Sequence, residues 1–527
     1  MALSTSYNSL SDMATALVSV FEEKKIENND KKITVNQLLS KIASWYEKLR
    51  TSMDYGEEET IFQRAIERIL VRKLFLEGDP KNIAEGLVRE LVWARYFLDG
   101  TVPESIIHDV AQSINLHLKL KSRLTKGKIL PEMQINEFIT QVLSCEISTI
   151  LIPKKEKEAM VNFMFHVLKD SVEITDDSKQ TKDAQVYIAV RKNFAKDDVA
   201  FLRYELFKQI FGRLSEKNLE ETALSFRAGV KEIQRQLSYP KKDRIFNHVK
   251  KRTPPFLILY DILIREKGNI KNVIKNEDEL RRKVYYACDF RYKNIRKKVN
   301  TAIIRSFIFI LFTKAFVALA IEGTFERVFL GSVQWFTIGL NTTVPPLLMV
   351  IAGLAIKTPG TSNSQKIFLD IERLLFEQKP QVANSLSLKT KNTGAKTLRD
   401  YVFSLLWFAT SILIFGGIVA ILTRLNFNVL SQGIFLFFIA IISFLTYRIY
   451  QTANTYTLPT KAGLLTPVID FLFVPVVTVG RRLTEGIGQI NFVLIFVDFI
   501  IETPFKGMVG FFEQWFLYLS VKREELE

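Results

Sequence analysis

A lysine stands in the middle of a segment that is otherwise apolar enough to cross a membrane. Lys314 falls within the apolar run 302–321. An ammonium group at that depth costs about 2.5–3.5 kcal/mol on insertion scales, unless it snorkels to the surface or finds a partner. Lys314 is therefore a candidate for a solute path. The plainer alternative is that it snorkels or pairs with a backbone carbonyl.

A polar stretch with two prolines, 341–346, interrupts the next apolar run. Two successive prolines remove two backbone donors and are expected to break or bend a helix. Carbonyls freed beside an amide and two hydroxyls would suit an ion or a small solute, as in the broken helices of transporters. A simple kink is the alternative. The stretch adds five candidate solute-path residues to Lys314: Asn341, Thr342, Thr343, Pro345 and Pro346.

No motif for catalysis, cofactor binding or metal binding accompanies these residues. The sequence has no phosphate-binding loop, dinucleotide fingerprint, nucleophile elbow or zinc-protease helix. Its four histidines do not combine with one another or with Cys145 and Cys288 at metal-ligand spacing. We therefore expect no catalytic residue, no cofactor and no metal ligand. Two cysteines are too few for a secreted disulfide framework, so we interpret them as free thiols in a reducing compartment.

Four apolar runs have the roughly 20 residues that a bilayer core requires. They are 302–321, 335–356, 401–423 and 429–450. The links between spans one and two and between spans three and four contain few basic residues, chiefly Arg327 and Arg424, whereas the loop 357–400 contains eight. Because basic residues stay on the cytoplasmic side, the N-terminus, this loop and the segment after the fourth span are predicted to lie inside.

The positive charge is concentrated just before the first span. Residues 1–200 hold 28 Lys and Arg against 30 Asp and Glu, whereas residues 201–300 hold 25 against 12, within a net charge of +16. A basic block next to a span favours anionic lipid as its partner, and makes nucleic acid an unlikely one. The residues expected to contact lipid headgroups are Arg291, Lys293, Arg296, Lys297 and Lys298.

Small residues recur on one face of the third span. Ala409, Gly416 and Ala420 would allow a neighbouring helix to approach closely. We expect this face to pack inside the bundle, and a dedicated dimer face is the alternative.

The C-terminal tail, 451–527, carries an amphipathic pattern that is typical of helices at a membrane interface. Its polar residues fall on one helical face and aromatic residues occupy the others. The candidate interfacial residues are Asp498, Glu502, Lys506 and Trp515. A fifth, kinked span over 490–519 is the alternative.

The part before the first span is predicted to be helical, and the whole chain all-α. We expect a cytoplasmic lobe over 1–150 and an irregular linker with a second, basic lobe over 151–300. Residues 185–190 are the one strand candidate. A helix that begins after Asn276 is expected to run unbroken into the first span of the bundle. Membrane helices over 301–356 and 401–450 enclose the loop 357–400, whose amphipathic piece 367–376 indicates a docking segment or a lid.

These features favour an integral protein of the cell or inner membrane that acts without catalysis. Its helical cytoplasmic part would serve as a platform for protein partners or for membrane organisation, with self-association as another possibility. The first alternative is a channel or transporter with a polar, broken second span. The second alternative is a membrane enzyme that acts on lipid or peptide.

Overall fold

The computed structural model describes residues 9–22, 30–35, 58–76, 78–380, 385–389, 398–459 and 475–482, with isolated positions at 40, 41, 44, 47 and 515. The described chain is all-α apart from two three-residue strands. It divides into two compact units. The head unit holds the described residues of Asp12–Lys250, Gln378–Thr390 and Leu494–Glu527, and the membrane unit holds those of Met1–Ser11, Lys251–Glu377 and Lys391–Val493.

The head unit is a stack of amphipathic helices around two hydrophobic clusters. Both clusters draw on the helices Ser105–Lys126 and Glu132–Leu151, so these helices join the two halves. In chain order its helices are α1 Asp12–Glu22, α2 Glu58–Leu76, α3 Pro80–Trp93, α4 Ser105–Lys126, α5 Glu132–Leu151, α6 Lys155–Leu168, α7 Lys179–Val190, α8 Val199–Phe211, α9 Leu219–Leu237 and α10 Lys242–Lys250. The observed division at residue 250 therefore differs from the predicted lobe boundaries at 150 and 300.

The strand predicted at residues 185–190 is wrong, because these residues form the end of α7. All six are buried, so their sequence lacks the solvent-facing positions that separate a helix from a strand. Ser178 caps α7 by accepting the Thr181 N–H at 3.1 Å. The strands lie elsewhere: β1, Val172–Ile174, pairs in parallel with β2, Leu386–Leu388, in the register Val172↔Leu386.

The membrane unit contains four helical segments that are long and apolar enough to cross a membrane, which confirms the four predicted spans. These segments are Glu277–Phe329, Trp335–Leu354, Tyr401–Arg424 and Val429–Ala453. The helices of the unit are α11 Pro254–Arg265, α12 Ile270–Lys275, α13 Glu277–Val317, α14 Trp335–Leu354, α15 Thr361–Phe376, α16 Leu398–Arg424 and α17 Val429–Ala453.

One long helix joins the extramembrane part of this unit to its first span. Helix α13 runs for 41 residues, and the Asn276 side chain caps its start by accepting the Glu279 N–H at 3.1 Å. The predicted unbroken helix is confirmed. Because an α-helix rises 1.5 Å per residue, α13 is about 60 Å long, roughly twice the thickness of a bilayer core.

Buried hydrogen bonds made by one side chain hold α13, α15 and the segment after α17 together. Asn363 of α15 donates to the Tyr292 hydroxyl at 2.7 Å and to the Tyr456 carbonyl at 2.8 Å. The side-chain carbonyl oxygen of Asn363 accepts the Leu458 N–H at 2.9 Å. All three bonds are buried, so the amphipathic helix of the long loop is a packed part of the membrane unit.

The pair Glu132–Leu151 and Lys155–Ser171 passes the length and composition test for a span only when both helices, bent by 115°, are counted together. Ile135, Val142 and Met160 of this pair are completely buried in the head unit. We interpret the pair as core helices.

Candidate functional site

Lys314 forms an ion pair inside the bundle. Its ammonium nitrogen lies 2.8 Å from Glu322 Oε1, and both side chains are completely buried. The alternative that Lys314 snorkels to the surface does not occur, because a carboxylate partner lies within reach. Since breaking a buried pair leaves one charge uncompensated, each residue depends strongly on the other.

A widened helical turn brings the two charges together. Lys314 and Glu322 are eight residues apart, and a regular α-helix would place them about 80° apart around its axis. Residues Ala318–Glu322 form a π-helical turn, which contains roughly one extra residue. That extra residue rotates Glu322 back onto the face of Lys314. A second π-helical turn, Glu326–Leu330, follows and ends at Gly331, which has a φ of +72°.

Polar groups from two other spans complete the site around Glu322. Asn341 of α14 donates to Glu322 Oε2 at 2.6 Å, and the Ser431 hydroxyl of α17 donates to the same oxygen at 3.2 Å. The ring of Phe438 lies 4.9 Å from the Lys314 ammonium. Spans one, two and four therefore meet at one carboxylate. The Asn341 carbonyl oxygen is buried and receives no hydrogen bond from the described residues.

A second buried carboxylate ties together the two links on one side of the bundle. Glu326 Oε2 accepts the Gln334 backbone N–H at 2.7 Å, and Oε1 accepts the Asn428 amide at 2.7 Å. Asn428 also caps α17 by accepting the Ser431 N–H at 2.8 Å. Through Ser431 and Asn428, a continuous series of hydrogen bonds connects Glu322 with Glu326.

The remaining residues of the predicted solute path do not form a break. Helix α14 continues through Pro345 and Pro346 from Trp335 to Leu354. Of the two alternatives, a break or a bend, the break does not occur. The Thr342 and Thr343 hydroxyls donate to carbonyls one turn back, at 2.7 and 2.8 Å, within their own helix. Of the six predicted residues, the structure joins Lys314 and Asn341 through Glu322.

The five basic residues before the first span differ in their surroundings. Arg291 is held by Asp261 in an ion pair and lies over the Tyr456 ring at 5.7 Å, so it has a structural partner. Lys293 pairs with Asp289 one turn away at 2.8 Å. Arg296, Lys297 and Lys298 are exposed, and Arg296 approaches the Thr358 hydroxyl at 3.5 Å. Contact with lipid headgroups stays a prediction for all five.

The small-residue face of the third span is not packed against the described parts of the bundle. Ala409, Gly416 and Ala420 are exposed, and a Cβ atom built on Gly416 meets no atom within 4 Å. The expected packing of this face is therefore not found. The close approach occurs at Gly480, where a Cβ atom would lie 1.9 Å from the Ala440 carbonyl oxygen of α17.

Most of the predicted interfacial tail lies outside the described residues, including Asp498, Glu502 and Lys506. Trp515 is described as helical and 49% exposed.

The head unit contains its own buried charge cluster. Arg191, which is 3% exposed, makes a two-pronged contact to Glu158 at 2.8 and 3.0 Å, and also contacts Asp197 and Glu205. Burial acts to lower the pKa of Arg191, but the three carboxylates outweigh this effect and raise it. Arg191 begins a π-helical turn that ends at Ala195, and Lys196 follows with a φ of +62°.

Neither thiol has the surroundings of a reactive nucleophile. Cys145 and Cys288 are both free and buried. Burial raises the pKa of the Cys145 thiol and raises that of Cys288 to about 11. Because the thiolate is the nucleophile, both groups are chemically quiet at neutral pH. Among the described residues no group of three His, Cys, Asp or Glu side chains is arranged to hold a metal ion.

The acids of the membrane site are the residues that sequence reasoning missed. The sequence assigned Glu322 and Glu326 to the link after the first span, although they are four residues apart and follow an apolar run. That spacing, together with Lys314 upstream, was a signal of a polar face. The site holds one ion pair, and its hydrogen bonds link the spans to one another.

The fold therefore defines an all-α protein with four helices that are long and apolar enough to cross a membrane. Comparison of the chain with family models, curated proteins and solved structures gives no match.

Proposed function

We propose that this protein is a multi-pass membrane protein that holds its helical head on the cytoplasmic side as a platform for protein partners or membrane organisation, without catalysis. The pairing of β1 with β2 carries the proposal. Strand β2 belongs to the loop between spans two and three, and it completes a sheet in the head. A loop that pairs with the head lies on the same side of the membrane as the head. The basic residues of that loop support a cytoplasmic side.

The membrane site supports an anchoring role for the bundle. Glu322 neutralises Lys314, and Asn341 and Ser431 satisfy the second carboxylate oxygen. A charge pair with these hydrogen bonds needs no solute to stabilise it. Since each of three spans contributes at least one group, the site fixes which helices lie next to one another.

Transport is the second candidate function, and one observation favours it. The buried Asn341 carbonyl oxygen has no donor among the described residues, although it lies beside the ion pair. An ion or a proton carrier could use this oxygen together with the series of hydrogen bonds that leads to Glu326. The two candidates predict different outcomes for removal of the charges.

Sidedness is tested with single cysteines at two opposite positions. Lys389→Cys lies in the loop that follows β2, and Arg424→Cys lies at the link between spans three and four. The native thiols are buried, so a membrane-impermeant thiol reagent has little background. The proposal predicts that Lys389→Cys reacts only in inside-out vesicles and Arg424→Cys only in intact cells. The reverse pattern would overturn it.

Affinity capture in native lipid tests the platform itself, with the native chain beside the double variant Lys314→Met, Glu322→Leu. The platform predicts a distinct partner near one-to-one and the same stoichiometry for both chains. Transport predicts a closed oligomer of the chain with itself, and a loss of flux in a double variant that remains folded.

A further inference from the structure

A cavity of about 260 Å³ lies between α11 and the part of α13 that precedes the apolar run 302–321. Ile262 and Ala287 form an apolar wall, and Arg265, Arg282 and Lys283 supply basic groups around it. Sites for drug-sized ligands are about 300–1,000 Å³. This cavity is therefore of a size that suits one inserted side chain rather than a whole small molecule.

The basic groups exceed the acidic groups at this cavity. Lys283 is neutralised by Glu266 at 2.6 Å. Arg282 is 75% exposed, and its nearest carboxylate, Glu279, lies at 3.8 Å. Arg265 is exposed and, within the described chain, has no carboxylate at ion-pair distance. The Arg265 guanidinium is thus without a carboxylate partner among the described residues, and the exposed Arg282, which has only a long ion pair on its own helix, can also attract an acidic ligand.

Aromatic rings hold one of these guanidinium groups in place. The centre of the Arg265 guanidinium lies 4.4 Å from the Phe290 ring and 5.6 Å from the Tyr286 ring. Stacking of this kind orders the guanidinium plane while its N–H donors can still bind a carboxylate. Tyr286 and Phe290 are themselves 62% and 42% exposed. Exposed tyrosine beside arginine is the composition that dominates protein–protein binding energy.

The length of α13 separates this cavity from the bilayer. Tyr286 precedes the start of the first apolar run by 16 residues, which is about 24 Å of helix. A helix tilt of about 40° would shorten this distance to roughly 18 Å. The headgroup layer on one side of a bilayer is about 5–8 Å thick. A lipid headgroup therefore does not reach the cavity, whereas a protein in the surrounding water does.

We infer that this groove, formed by Arg265, Arg282, Tyr286 and the cavity behind them, binds an acidic segment of a protein partner. One aromatic or large aliphatic side chain of that segment fills the cavity, and its carboxylates bind Arg265 and Arg282. The inference rests on the proposed platform function and names the chemistry that its partner carries.

Binding of a defined probe to the full chain tests the inference. The chain is placed in phosphatidylcholine nanodiscs and titrated with a short fluorescent peptide of glutamates around a single phenylalanine. Arg265→Glu with Arg282→Glu is expected to weaken binding at least tenfold, since like charges oppose each other across an interface. Arg227→Glu with Lys231→Glu makes the same change in net charge on the exposed side of α9 and should leave binding nearly unchanged.

Two control ligands distinguish the groove from general attraction between charges. Replacing the glutamates of the peptide by glutamines, or its phenylalanine by alanine, should each weaken binding to the native chain. Equal loss in both charge-reversal variants would overturn the inference. Binding of phosphatidylserine vesicles that depends on Arg265 and Arg282, without binding of the peptide, would also overturn it.

The experiments distinguish an error in the groove inference from an error in the proposed platform function. If the peptide ignores the groove while capture still returns a distinct partner, the inference is wrong and the platform stands. If capture returns only copies of this chain, the platform is wrong, whatever the peptide does.

Discussion

The head unit and the membrane unit each bury a basic side chain, and their surroundings neutralise it differently. Arg191 in the head faces three carboxylates, one of which, Glu158, is 38% exposed. Lys314 in the membrane unit faces a single carboxylate that is completely buried. An excess of acid is tolerable in the head because water reaches its edge. Lys314 lies deep in a span and has no such support, so it is matched one to one with Glu322.

The largest expected effect on stability comes from removing one partner of the Lys314–Glu322 ion pair. Glu322→Leu leaves the Lys314 ammonium buried without a carboxylate, which should lower the free energy of unfolding by about 3–5 kcal/mol. The double variant Lys314→Met, Glu322→Leu should be close to native or more stable. Trapping of the buried Cys288 thiol during titration with sodium dodecyl sulfate, with the labelled peptide identified by mass spectrometry, measures the difference. A double variant as unstable as the single one would contradict the matched-pair interpretation.

Removal of the head cation should have a smaller effect. Arg191→Met leaves three carboxylates without their shared cation, but water can reach Glu158, so we expect a loss of about 2–3 kcal/mol. Arg89→Met is the matched control, because Arg89 is 34% exposed and pairs with Glu85 on its own helix. Its effect should stay within about 0.5 kcal/mol. Urea-dependent trapping of Cys145 reports on the head unit, and equal losses in the two variants would refute the role of burial.

Substitutions at two glycines of the membrane unit test the contribution of packing without changing any charge. Gly480→Ala places a methyl group against the Ala440 carbonyl, which should destabilise the unit by about 1–3 kcal/mol. Gly416→Ala meets open space and should cause no loss. The same detergent titration compares them. A loss at Gly416 instead would mean that a neighbour absent from the described residues, such as a second copy of the chain, covers that face.

The smallest expected effect belongs to a half-buried pair in the head. Burial raises the pKa of Glu59, but Lys157 and Lys154 outweigh burial, so the pKa lies below 4.5 in the folded chain. Because a depressed carboxyl pKa stabilises the fold only above the unfolded value, this contribution is lost as the pH falls from about 5 towards 3. Glu59 is 33% exposed, so the effect should stay below about 1 kcal/mol.

Trapping of Cys145 with dithiodipyridine, which reacts at acid pH, measures this dependence in the native chain and in Glu59→Gln. The native chain should lose more stability than the variant over that pH range. Identical pH profiles would show that Glu59 is not stabilised by its lysines.

The sequence predicted the spans well because a span is a local, continuous signal. It predicted the α13 helix for the same reason, since Asn276 and the acidic turn after it mark a start. Glu322 was not predicted as a site residue because a π-helical turn changes which residues share a helical face. No sequence pattern marks that turn. Ser431 and Asn428 are about a hundred residues away from Glu322 and Glu326, so no local pattern joins them.

The pairing of β1 with β2 was not predicted, for a related reason. Strands β1 and β2 are three residues each and are separated by more than two hundred residues. Short strands carry little alternation, and the buried end of α7 offered a stronger apolar run nearby. The docking segment of the long loop was expected at 367–376, which packs within the membrane unit as part of α15, and no sequence signal marked the residues of β2.

The two carboxylates of the bundle meet their partners at different moments of synthesis. Lys314, Glu322 and Asn341 all belong to the first pair of spans, so their contacts can form as soon as that pair leaves the ribosome. Glu326 gains its amide donor, and Glu322 its hydroxyl donor, only when Asn428 and Ser431 arrive with the second pair. A nascent chain halted between the two pairs would present an incompletely bonded carboxylate to the membrane insertion machinery. Complete bonding of both carboxylates therefore requires that the second pair of spans has entered the membrane.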